Sequence, residues 1–187
     1  MQEETADRHL AVSIVRQEST AAPPKDAERV DRAQRGRRDN FGLRRLEILA
    51  GNVGYLNLTA FYRPEEARKT IVAAMRALRN ADALIVDLRQ NGGGSTGTVA
   101  LCASFLFDEP GLPLFDIVDR AGERSPYATE KQPLCGRNDT QPVWVLAAAS
   151  TFSGGEGLAF LLQERHRAEV VGERTAGAAN PGRPCPL

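Results

Sequence analysis

Proton-accepting side chains are scarce in this chain. Two histidines, His9 and His166, and three lysines, Lys25, Lys69 and Lys131, are all that 187 residues provide. A catalytic base must come from this short set or from a carboxylate. Cys102, Cys135 and Cys185 are odd in number, widely spaced and without a C-x-x-C, which argues against a zinc site or a complete disulfide framework. No run approaches the ~18 apolar residues of a membrane span, and the polar start Met1-Gln2-Glu3-Glu4 carries no export signal. Basic and acidic side chains number 24 each, so no net charge draws the chain to nucleic acid or an anionic membrane. The cluster Arg35-Gly36-Arg37-Arg38 lacks interleaved aromatics and is flanked by Asp31 and Asp39, so nucleic acid is not expected as a partner. No Gly-Lys-Ser/Thr follows the glycine-rich stretches, which argues against a phosphate loop. Neither a cofactor nor a metal is expected.

What is present is an alternation of apolar runs and helical patterns. A chain of this length suits one domain able to bury roughly 70% of its unfolded surface. Leu10, Val12 and Ile14 alternate as a short strand would, and residues 16–40, polar and carrying Pro23-Pro24, read as a solvated loop. We therefore divide the chain into residues 1–40, an N-terminal strand with a polar, partly disordered segment, and residues 41–187, an α/β core. Two strands joined by a tight turn at Gly51-Asn52 are expected between Phe41 and Leu58. A helix opens at Pro64 and runs to about Arg79, with Ile71, Val72, Met75 and Leu78 inward. Ala83 to Leu88 reads as a strand covered on both faces, followed by Asn91-Gly92-Gly93-Gly94 and a helix over 98–107. Residues 108–141 form an excursion around one apolar piece, Leu112 to Val118. The sheet resumes at Val143, turns at Ser153, and returns over Ala168 to Gly172 after a helix ending near Arg165. Such alternation predicts a mostly parallel sheet covered on both faces, with its crevice at the carboxyl ends of the strands.

Both glycine-rich turns fall at that end. Ser153 stands at a strand-to-helix turn, before Gly154-Gly155, where a nucleophile would be placed. The same Ser153-x-x-Glu156 also fits a plain capping box. The N–H of Gly154 has the placement of an oxyanion donor, and Gly93 or Gly94 could bring a second; one such donor is worth ~3 kcal/mol in the transition state. His166, in Glu164-Arg165-His166-Arg167, reads as a solvated or C-capping residue. His9 has two readings, a structural histidine or a base, and Asp7, on the same side of a strand, could orient its imidazole.

Three stretches, Leu84 to Gly94, Ser150 to Glu156 and Val171 to Gly177, resemble in order and spacing the signature blocks of the tail-specific (C-terminal processing) serine protease family. The resemblance implies a Clp-protease/crotonase-like β/α spiral core, a polypeptide substrate and an acyl-enzyme on Ser153, with Glu156 supporting it. The processing branch carries its dyad lysine 25 residues after the serine, and here that position is Ala178. Thr175-Ala176-Gly177 is instead similar to the branch holding the tricorn core and interphotoreceptor retinoid-binding protein. In that branch the base maps onto His9, and the acid is a glutamate expected beyond Leu187. On this resemblance the core is expected to be truncated at both ends, and export to the periplasm or outside the cell is the family expectation. The rival function is a non-catalytic module binding hydrophobic ligands or peptides in the same crevice. An acyl-CoA enzyme on a related core is disfavoured, because no basic patch awaits the CoA phosphates.

Overall fold

The computed structural model describes residues 25–119, 121–130 and 139–178. The expected strand at 10–14, with His9 and Asp7, lies outside them. Over Lys25–Arg38 the chain is a helix, α1, where the sequence reading has a loop. Its shortage of apolar residues misled that reading. Alanine, glutamate, glutamine and arginine propagate a helix well even where little is buried. Gly36 lets α1 approach closely, because a Cβ there would lie 2.9 Å from the Phe41 ring. Phe41 in turn meets Tyr62 edge-on at 5.9 Å, and the Tyr62 hydroxyl donates to Asp39 Oδ2 at 2.6 Å. Burial and that carboxylate push the Tyr62 phenol up to about 12.

The core follows in order as β1 (Leu43–Leu49), β2 (Val53–Leu58), α2 (Pro64–Ala77), β3 (Ala83–Asp87), α3 (Thr96–Ala103), β4 (Pro113–Val118), β5 (Arg124–Ala128), β6 (Val143–Ala147), α4 (Gly154–Glu164) and β7 (Glu169–Gly172). β1 pairs antiparallel with β2, and the pairings of β2 with β3, β3 with β6 and β6 with β7 are parallel. The mostly parallel sheet is therefore as expected. The excursion 108–141 contains a hairpin, β4 with β5, rather than one apolar piece. β5 escapes sequence reading because its residues are largely exposed and include Pro126, so no alternation marks it.

Coverage of the sheet departs from expectation. The strand order β1-β2-β3-β6-β7 advances in one direction only. Crossovers of a single hand then set successive helices on the same face, and α2 touches α3 as α3 touches α4. Leu56, Leu58, Leu84, Val86, Val143 and Val145 are buried in one cluster with Ile71, Met75, Leu101, Leu158 and Leu162 of those helices. On the opposite face Tyr55, Ile85, Trp144 and Leu146 are only half-buried, and Val171 is 43% exposed. The sheet is thus covered by helices on one face, not two, among the described residues. None of the described helices is long and apolar enough to cross a membrane.

Candidate active site

The carboxyl ends of β3 and β6 enter turns that bond to each other across 60 residues of sequence. Leu88 N–H donates to Leu146 O at 2.9 Å, Thr151 Oγ1 to Leu88 O at 2.8 Å, and Phe152 N–H to Asn91 O at 2.9 Å. Asn91 is fully buried and braces the crossing. Its Nδ2 donates to Leu58 O at 2.9 Å, and its Oδ1 accepts from Gly93 N–H at 2.8 Å. Gly155 must be glycine beside it, since a Cβ would lie 2.8 Å from Asn91 Oδ1.

Ser153 caps α4 with φ 50° and ψ −114°. Left-handed φ at a non-glycine residue costs of order 1–3 kcal/mol and persists only where neighbours enforce it. Two neighbours do so here. Gly93, at φ 87°, packs its backbone against the turn so closely that a Cβ would stand 2.7 Å from Ser153 Cβ and 2.9 Å from Gly154 N. From inside, the buried Glu156 carboxylate accepts Ser153 N–H at 2.8 Å. Glu156 also accepts Gly177 N–H at 2.6 Å and Ala178 N–H at 2.9 Å. A single acceptor-only side chain therefore fastens the serine turn to the third sequence block, which Ala176 N–H also joins through Thr151 O at 3.1 Å.

Of the glycine N–H groups considered from sequence, that of Gly93 is engaged by Asn91, which removes it as an oxyanion donor. Gly94 N–H and Gly154 N–H meet no acceptor among the described residues, and a Cβ on Gly154 would lie 3.3 Å from Gly94 N. The two amides thus lie close together beside the Ser153 turn, with that of Gly154 at the positive end of α4.

Other polar groups take supporting positions. Asp87, buried at the end of β3, accepts from Arg89 N–H and its guanidinium and from the Tyr55 hydroxyl. Burial alone would raise the Asp87 carboxyl, but the Arg89 and Tyr55 hydrogen bonds outweigh it and hold it below the usual carboxylate range. Burial and the same carboxylate raise the Tyr55 phenol, and the carboxylate raises Arg89. This trio was missed from sequence; the legible signal was an aspartate at a strand end with arginine two residues on. Ala178 is buried at the position of the family's dyad lysine, so no amine arises there. His166 sits at the opposite end of α4 in the left-handed region, φ 52°. Its N–H donates to Gln163 O at 2.9 Å while Arg167 N–H donates to Leu162 O at 2.8 Å, a Schellman cap as expected. Cys102 is buried, which pushes its thiol up to about 12 and removes it as a nucleophile.

A serine with left-handed φ at a strand-to-helix turn, beside two amides without acceptors among the described residues at the carboxyl end of a parallel sheet, is the kind of arrangement in which a serine nucleophile could be placed. Residues 52–186 match the family described as Peptidase family S41, and the chain belongs to it. Carboxyl-terminal-processing peptidase 2 of Arabidopsis thaliana is 35% identical over 127 residues, covering 67% of this chain and 24% of that protein. A carboxy-terminal processing protease of Bacillus subtilis is 30% identical over 133 residues, covering 70% and 27% respectively. This chain thus spans about a quarter of the length of these curated relatives. Among solved structures, the photosystem II D1 C-terminal processing protease superposes with TM-score 0.54 at 30% identity, over 66% of this chain and 30% of that one. A Bacteroides fragilis protein described as an S41 protease superposes with TM-score 0.63 at 22% identity, over 73% and 39%. The latter likeness concerns the fold alone.

Proposed function

We propose that this chain carries the nucleophile centre of a serine-type peptidase that hydrolyses polypeptide substrates through an acyl-enzyme on Ser153. The observation that carries this reading is the Ser153 turn, held at φ 50° between Gly93 and Glu156 with Gly94 and Gly154 N–H beside it. Ser153 Oγ attacks the carbonyl carbon, and the two N–H groups receive the oxyanion. Glu156 and Asn91 hold the geometry and do not touch substrate. The base is assigned to His9, oriented by Asp7. Ala178 offers no amine, and the Schellman cap keeps His166 at the far end of α4, ~16 Å of helix from the serine. The carbonyl-bearing residue of the substrate lies toward a depression of about 390 Å³ in which Phe61 and Tyr62 stand beside Arg63, Glu66, Ser95 and the Gly93-Gly94 backbone.

A fluorophosphonate probe tests the assignment directly. The protein is expected to be labelled and Ser153→Ala not at all, with His9→Ala slowed ~10²-fold or more, as for loss of a general base. Equal labelling of the serine variant and the parent would sink the proposal.

A further inference from the structure

A second depression, of about 430 Å³, is lined by Ala149, Arg174, Thr175, Ala176 and Gly177. It shares no lining residue with the Gly94 depression and borders the segment on either side of the Ser153 turn. Ala149 precedes that turn, while Ala176 and Gly177 are bonded to Thr151 and Glu156 on either side of it. The wall carrying Arg174 is rigidly mounted. Glu173 N–H donates to Ala147 O at 3.1 Å, and the Glu173 carboxylate turns back to accept Ala149 N–H at 3.1 Å. Arg174 follows directly, beyond the end of β7. Arg174 is exposed, lines the depression, and makes no ion pair with a carboxylate among the described residues. The other ionisable group of this wall, Glu173, is held at the Ala149 amide.

We propose that Arg174 is a specificity-determining residue that binds a carboxylate of the substrate on the leaving-group side of the scissile bond. The inference rests on the peptidase reading of Ser153. With the carbonyl oxygen held by Gly94 and Gly154 N–H, the acyl side runs toward Phe61 and the departing segment crosses toward Arg174. A guanidinium fork matches a carboxylate bidentately, and a wall fixed by four backbone and side-chain bonds loses little freedom when it binds. The carboxylate is the substrate's free C-terminus or an acidic side chain just downstream, two sources with the same chemistry.

The test is equilibrium binding, independent of turnover. Fluorescein-labelled peptides carry one apolar residue followed by two more, ending as the free acid, as the amide, or as the amide with aspartate at the last position. Anisotropy titrations use the parent protein, Arg174→Ala, Arg174→Lys and Arg174→Glu. The free acid is expected to bind about tenfold tighter than the plain amide, a typical charge-assisted margin. Arg174→Ala erases the difference, Arg174→Glu inverts it, and Arg174→Lys keeps part of it. An aspartyl amide binding as tightly as the free acid assigns the side chain as the source; tight binding of the free acid alone assigns the terminus. Equal binding of acid and amide to the parent, a difference that survives Arg174→Ala, or no binding of any peptide overturns the proposal. Failure of fluorophosphonate labelling with the acid preference intact would instead sink the assignment of Ser153.

Discussion

Asp87 receives hydrogen bonds from Arg89 and Tyr55 while burying all but 2% of its surface. Its folded pKa lies below the ordinary 3.8. The stabilisation is therefore complete above the unfolded value and lost as pH falls from about 4 through the folded value. Urea midpoints measured from pH 7 to pH 3 are expected to fall across that window. Asp87→Asn should be less stable at pH 7 by about 1–3 kcal/mol and show a flatter acid limb; an unchanged slope would disprove the coupling. Residue identity was easy to read where a side chain faces a forbidden space, as at Gly93. The use of Gly93's amide was not legible, because its acceptor, the Asn91 side chain, is aimed by tertiary structure. Sequence could nominate Gly93 and Gly94 alike; the hydrogen bond to Asn91 separates them.

Elements with a marked period were legible to within a few residues. Pro64 with its following acids announced α2, and the run from Ala83 announced β3. α1 was lost because it holds few apolar residues, and β5 because its residues are largely exposed, so propensity and pairing partner decide them. The end of α4 was legible, since a histidine among charged residues just past the apolar stripe reads as a cap. That cap carries backbone strain glycine would relieve. His166→Gly is expected to raise stability by about 1 kcal/mol, seen as a rise in Tm of ~2–4 °C, without altering probe labelling at Ser153. A labelling loss would mean that His166 serves the site after all.

At the scale of the whole molecule, alternation correctly gave a parallel sheet but not its coverage, which depends on the order of the strands in space. A sheet that grew outward from its middle in both directions would carry helices on both sides. This one advances from β1 to β7 and leaves Tyr55, Ile85, Trp144 and Leu146 half-buried on the face that the described helices α2 to α4 do not cover. Trp144, the sole tryptophan, reports on that side, its indole N–H donating to Glu169 at 3.1 Å. Its emission should be red-shifted from that of a buried indole and readily quenched by acrylamide; a blue, protected emission would show the face to be covered in solution.

The bonds joining the turn after β3 to the turn after β6 also have a consequence in time. Ser153 and Gly154 stand on one turn, but the Gly93-Gly94 turn beside them comes from a segment separated by the whole of α3 and the β4–β5 hairpin, so no local piece of chain can bring the two turns together. Their encounter must await closure of that long loop and the pairing of β3 with β6, a slow step in chains dominated by distant contacts. On the proposed assignment of Ser153, a nascent or partly unfolded chain would therefore be chemically silent until the pairing of β3 with β6 is complete.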